Sequence, residues 1–149
     1  MLNGCPENGP AVAVDQANAI HVVWPTLVHD AGGAETLALF YTTSRDGRLF
    51  TKRQRIPTEG VPRHPQIAVG PARTITVAWD EQLTGVRRVV IARGTVDYTN
   101  PVRFARESVT EEARTYPVIA SLPDGTLVAW TSGSTADSVL RVARYPAPK

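Results

Sequence analysis

Pro65-Gln-Ile-Ala-Val-Gly70, a break at Pro71–Thr74, and Ile75-Thr-Val-Ala-Trp79 make up the stretch from which the rest of the chain can be read. Two short Val/Ile-rich runs bounded by Gly and Pro are the signature of strand, turn, strand. A leading Pro suits the first residue of a strand, where its missing N–H need not break a ladder. Working outward, the same pattern recurs twice. Pro10-Ala-Val-Ala-Val-Asp15 is followed by Ile20-His-Val-Val-Trp24, and Pro117-Val-Ile-Ala-Ser121 by the turn Pro123-Asp124-Gly125 and then Leu127-Val-Ala-Trp130. The prolines lie 55 and 52 residues apart and the tryptophans 55 and 51. All three Trp of the chain occupy the same repeat position.

A third strand is expected after each Trp and a polar loop, at Leu37 to Thr43, Arg87 to Arg93 and Val139 to Arg144. A fourth is expected at Phe50 to Ile56 and at Val102 to Arg106, while the last unit stops before one. No stretch carries a convincing helical period. Four antiparallel strands in units of this length are the arithmetic of a β-propeller blade. The fold class expected is therefore all-β, three four-stranded repeats with the last incomplete. The blades would cover about residues 10–64, 65–116 and 117–149 of a single 1–149 half-propeller domain. Because closed propellers have roughly four to eight blades, three cannot close a ring. A homodimer of three plus three blades is the expected partner arrangement, with residues 1–9 covering part of the junction.

Composition narrows function by exclusion. The 149 residues are 42% hydrophobic and 20% charged, so a real core is possible. No apolar run is long enough for a membrane helix, so no membrane partner is expected. Net charge is +2, with 14 Arg against 2 Lys. Arg is favoured where carboxylate or phosphate is gripped bidentately, and GC-rich coding produces the same excess. Arg87-Arg88 and Arg103 to Arg106 are scattered along strands rather than massed on one element, so no nucleic-acid partner is expected. Gly32-Gly33 precedes no helix and is no phosphate cradle. His29-Asp30 and His64 lack metal-ligand spacing, so no metal and no cofactor are expected. Met1 to Pro10 contain no apolar signal-peptide core. The chain reads as cytoplasmic as it stands, or extracytoplasmic if it is cut from a longer secreted relative.

Ser44-Arg-Asp46-Gly47-Arg-Leu-Phe50 resembles the Asp box of sialidase-like (BNR-repeat) propellers, with a loop one residue shorter. With Gly4-Cys5-Pro6-Glu7-Asn8-Gly9-Pro10, the Trp-ended strands and His64-Pro65, the chain resembles the C-terminal half of bacterial six-bladed exo-sialidase-like proteins. The resemblance implies that Ser44, Asp46, Gly47 and Phe50 form a structural turn. It also implies that Cys5, whose usual partner lies upstream in the family, is a free thiol. Sialidases of this kind hold a carboxylate with three arginines and use a Tyr nucleophile, an exception to the paired-carboxylate scheme. Arg55-Ile-Pro57 looks like the family's Arg-Ile-Pro motif, but it falls on an outer fourth strand, far from the axis.

In a propeller, the loops entering inner strands and leaving second strands share the channel face. The entering loops hold Glu7 and Asn8, then Arg63 and His64, then Glu112, Arg114 and Tyr116; the leaving loops hold His29 and Asp30, Asp80 and Glu81, and Thr131 and Ser132. The ligand-binding candidates are Arg63, His64, Asp80, Glu81, Arg114 and Tyr116, which suit acid/base and carboxylate chemistry. Loop charges of this kind are also what solubility alone produces. Two functions follow. One is a non-catalytic module binding a glycan, peptide or anionic ligand. The other is an exo-sialidase-type glycoside hydrolase whose site is completed by dimerisation.

Overall fold

A computed structural model describes residues 8–29, 31–109, 114–134 and 136–147, with the backbone alone for Arg114. Blade 1 is a meander of β1 (Ala11–Val14), β2 (Ile20–His29), β3 (Glu35–Ser44) and β4 (Gln54–Arg55). Blade 2 repeats it with β5 (Val61–Val69), β6 (Thr74–Gln82), β7 (Arg87–Thr95) and β8 (Ala105–Ser108). Blade 3 comprises β9 (Arg114–Leu122), β10 (Gly125–Ser132) and β11 (Val139–Pro146). Every neighbouring pair is antiparallel. The described residues contain one short 3-10 turn, Pro71–Arg73, and no helix long and apolar enough to cross a membrane. The all-β, propeller-type expectation holds.

Alternation along the strands gives each blade two apolar faces. Trp79, Val77 and Ile67 on the front of blade 2 pack with Val23, Leu39 and Tyr41 on the back of blade 1. One blade further on, Trp130, Val128 and Ile119 on the front of blade 3 pack with Ala78, Val89 and Ile91 on the back of blade 2. The register makes these sets equivalent position by position, since Trp24 stands opposite Phe40, Trp79 opposite Val90 and Trp130 opposite Arg141. Trp79 is fully buried, and Thr76 and Thr126 join hydroxyls at 3.0 Å between blades 2 and 3.

Five boundaries differ from the sequence expectation. The loops after each Trp are strand instead: β2, β6 and β10 run on to His29, Gln82 and Ser132 because β3, β7 and β11 stay in register beside them. Arg63, His64, Asp80, Glu81, Arg114, Tyr116, Thr131 and Ser132 therefore sit on strands rather than in loops. The fourth strand of blade 1 begins at Gln54, not Phe50. Upstream of it, the Thr42 hydroxyl donates to the Thr51 carbonyl at 2.8 Å, so a side chain occupies a ladder position. The fourth strand of blade 2 begins at Ala105, not Val102, because the Gln54 amide of blade 1 takes both the N–H and the C=O of Val102. Glu7, Cys5, Asp30 and Glu112 lie outside the described residues.

The Ser44–Phe50 turn forms as its residue types dictate. Asp46 Oδ1 accepts the N–H groups of Arg48 and Leu49 at 2.8 and 2.9 Å, and Ser44 Oγ accepts that of Gly47 at 3.0 Å. Gly47 takes the left-handed conformation (φ 70°), and these donors hold the exposed Asp46 carboxyl below its ordinary range. Phe50 caps nothing and is half exposed.

Trp79→Ala removes the largest front-face side chain. It should lower stability by about 3–5 kcal/mol, measured by denaturant unfolding.

Candidate functional site

The ladder of blade 2 skips between Arg63, opposite Asp80, and Gln66, opposite Ala78, so His64 and Pro65 together oppose Trp79. Blade 3 repeats the bulge: Thr115 opposes Thr131 and Val118 opposes Ala129, leaving Tyr116 and Pro117 against Trp130. A bulge re-aims a side chain. Both bulged residues precede proline, which disfavours helical backbone, yet both take the left-handed conformation (His64 φ 49°, Tyr116 φ 55°). Such geometry costs on the order of 1–2 kcal/mol for a residue with a Cβ and persists only where its surroundings impose it.

Asp80 is the group that contacts both bulged residues. This fully buried carboxylate accepts His64 Nδ1–H at 2.5 Å and, more weakly, the Tyr116 N–H at 3.4 Å on the same oxygen. Its second oxygen lies 3.5 Å from Arg87 Nε. This contact engages Nδ1 and leaves Nε2 on the other edge of the His64 ring. The His64 ring lies 4.5 Å from the Tyr116 ring, centroid to centroid, and the Asn8 side-chain oxygen accepts the His64 N–H at 3.0 Å. Asn8, from the segment leading into blade 1, His64 and Asp80 of blade 2, and Tyr116 of blade 3 thus meet. His64 is largely covered, whereas Tyr116 is 49% exposed.

Of the six predicted residues, His64, Asp80 and Tyr116 are brought together. Arg63 stands opposite Asp80 in the ladder, half-buried, with a buried Nε that has no hydrogen-bond partner. Arg114 falls at the start of β9, opposite Ser132, and its side chain lies outside the description. Glu81 does not join the group. It follows Asp80 on a strand, so alternation turns it to the opposite face. There it is fully buried, held by Arg106 at 2.5 Å, Arg88 at 3.4 Å and the Glu59 N–H at 2.7 Å. Burial alone would raise its pKa, but the N–H groups of Gly60 and Glu59 and the Arg106 guanidinium hold it below the ordinary carboxylate range. Neither Asp80 nor Glu81 is a solvated loop charge.

Arg87 is absent from the predicted set, although alternation could have found it. Arg87-Arg88 faces Asp80-Glu81 across one hairpin, and the two basic side chains divide between the two faces as the acids do. A second polar cluster, between blades 1 and 2, also escaped prediction. His21 Nδ1 lies 2.9 Å from the Tyr41 hydroxyl and Nε2 3.5 Å from Asp15, to which the Tyr98 hydroxyl also donates. Burial lowers the His21 pKa against the pull of Asp15. Burial would raise Asp15, but Tyr98 and the N–H groups of Ala19 and Ala17 bring it down. Burial and Asp15 together push Tyr98 up to about 12. Among the described residues, no group of three or more His, Cys, Asp or Glu could hold a metal ion.

With this geometry in view, no sequence family and no curated protein matches the chain. Solved structures do. A candidate glycoside hydrolase from Parabacteroides distasonis ATCC 8503 superposes with a TM-score of 0.55 at 17% identity, over 85% of this chain and 47% of that one. A glycosyl hydrolase from Bacteroides ovatus gives 0.53 at 16%, over 93% and 46%. A third structure comes from work on the GH130 family of mannoside phosphorylases, which contains glycoside hydrolases that target β-1,2 mannosidic linkages in Candida mannan. It gives 0.52 at 15%, over 92% and 48%. The likeness is one of fold, and the chain spans about half the length of these structures. The fold of this chain is propeller-type.

Two predictions follow from these clusters. Tyr116→Gly should be more stable than Tyr116→Ala by about 1 kcal/mol in denaturant unfolding, because only glycine is at ease at that φ. For His21, the folded state binds fewer protons than the unfolded chain below the ordinary value of 6.5, so stability falls as pH drops through it. His21→Gln should flatten that part of the unfolding free energy profile.

Proposed function

We propose that this chain is a sialidase-like propeller module that binds a carbohydrate, without hydrolysing it, on the rim formed by Tyr116, His64 and Arg63. The observation that carries the proposal is the Tyr116 ring, half exposed and held in a strained conformation against His64 by a buried carboxylate. An aromatic with an apolar face and a polar edge, fixed in place, suits a sugar ring, which is itself apolar on its C–H faces and polar at its rim. Preorganisation removes the ordering cost of binding. Half-buried Arg63, next to His64 on the same strand, and the His64 imidazole supply polar groups for hydroxyl or carboxylate contacts. The glycoside-hydrolase-like fold supports a glycan over a peptide or a simple anion.

Hydrolysis is less well supported. Paired-carboxylate glycosidases need two carboxyls flanking the bond, roughly 5–9.5 Å apart. Here Asp80 has no exposed surface and is committed to His64, Tyr116 and Arg87, while Glu81 serves an ionic cluster on the other face. A sialidase-type Tyr nucleophile would need a Glu beside Tyr116, whereas its described neighbours are His64 and Asp80.

Calorimetric titration with sialyllactose and β-1,2-mannobiose should detect binding of at least one. Tyr116→Ala should weaken it about tenfold or more, equivalent to about 1.4 kcal/mol. Binding unchanged by Tyr116→Ala, or turnover of a fluorogenic sialoside or mannoside, would reject this assignment.

A further inference from the structure

Each blade junction is built from one front triad and one back triad. The fronts of blades 2 and 3 are Ile67, Val77, Trp79 and Ile119, Val128, Trp130; the backs of blades 1 and 2 are Val23, Leu39, Tyr41 and Ala78, Val89, Ile91. By the same register, the front of blade 1 is Val12, Val22 and Trp24, and the back of blade 3 is Ala129, Leu140 and Val142. These two triads are as apolar as the four that are packed, yet they are open. Val12 is 59% exposed, Leu140 70% and Val142 53%, where their counterparts Ile67, Val89 and Ile91 are 8%, 0% and 0%. Trp24 is half-buried, where Trp79 is fully buried. Val14 and Val118 extend the exposed apolar surface at each end. Contiguous apolar surface of this kind marks an interaction site.

We propose that the front of blade 1 docks on the back of blade 3 of a second copy of this chain, and reciprocally, closing a two-fold ring of six blades. A second copy is the fitting occupant because the surface each face lacks is the one the other end presents. A front needs a back, and the chain carries one spare of each. The new junctions continue the two internal ones. Ile119 and Ile91 belong to one packed cluster between blades 2 and 3, so at the new junction Val12 of the partner subunit meets Val142. Both junctions are then identical, which is how a head-to-tail contact closes into a cyclic dimer. Six blades fall inside the size range of closed propellers.

The ring also completes the rim. Gly9-Pro10, His64-Pro65 and Tyr116-Pro117 are equivalent positions of the three units. His64 covers one side of Tyr116 within the chain, and in the ring Gly9 of the partner subunit stands on the other. A glycine there leaves the aromatic ring accessible from the second copy's side. Each dimer carries two such rims on one face.

Light scattering on the purified full chain tests this independently of any glycan. The wild type should run at twice the 16.1 kDa chain mass. Val12→Arg and Val142→Arg should each run at one chain mass while keeping the wild-type β-sheet circular dichroism. The double variant Val12→Glu with Val142→Arg, which pairs opposite charges at the proposed junction, should return to twice the mass. A single-copy mass for the wild type at micromolar concentration would overturn the proposal and leave these faces to further blades or another protein. So would a dimer broken by Val12→Arg but not by Val142→Arg, which indicates a front-to-front contact. Concentration-dependent growth beyond two copies would equally exclude closure. A monomeric but folded variant that still binds sugar would leave the carbohydrate reading intact, so the two proposals fail separately.

Discussion

Apolar burial between successive blades holds this molecule together, and the repeated tryptophan is its centre. A single four-stranded meander has two apolar faces and cannot bury either alone. Each front triad, ending in Trp79 or Trp130, supplies a broad ring for the aliphatic back of the preceding blade. Everything else hangs on that contact. It sets the spacing of the sheets, brings the inner strands to one side, and carries the bulges opposite Trp79 and Trp130 into line. The polar clusters between blades, Thr76 with Thr126 and Asp15 with His21 and Tyr98, form in a space which the apolar contact has already closed.

Asp80 does at the rim what the triads do in the core. A buried carboxylate is costly without partners, and this one has His64 of its own blade and Tyr116 of the next on one oxygen, while the other has no hydrogen bond and lies 3.5 Å from Arg87 Nε. That demand couples blade docking to the conformation of two strained residues. The carboxylate touches the backbone of Tyr116, whose half-exposed ring rests 4.5 Å from that of His64. Asp80 is best described as a positioning residue, and the surface it organises is aromatic rather than acidic.

The blades were legible because their signals are local. Pro at the strand start, Val and Ile in alternation and Trp at a fixed position identify each unit without knowledge of the others. The Ser44–Gly47 turn was legible for the same reason, since its hydrogen bonds join residues within a few positions of each other. The later strand boundaries were not. The start of β8 depends on Gln54, 48 residues upstream, clasping the backbone of Val102, and nothing near Val102 announces that.

The candidate site divides along the same line. Sequence by itself determined that the chain is all-β and built of repeated blades, and that His64, Asp80 and Tyr116 share one end of them, because propeller connectivity fixes which strand ends lie together. Only tertiary structure decided which side each residue faces. Asp80 and Glu81 are adjacent acids, equal as sequence, yet one turns toward Tyr116 of blade 3 and the other toward Arg88 and Arg106. The pleat assigns neighbours to opposite faces, but which face meets the next blade is settled only when the tryptophans choose their side.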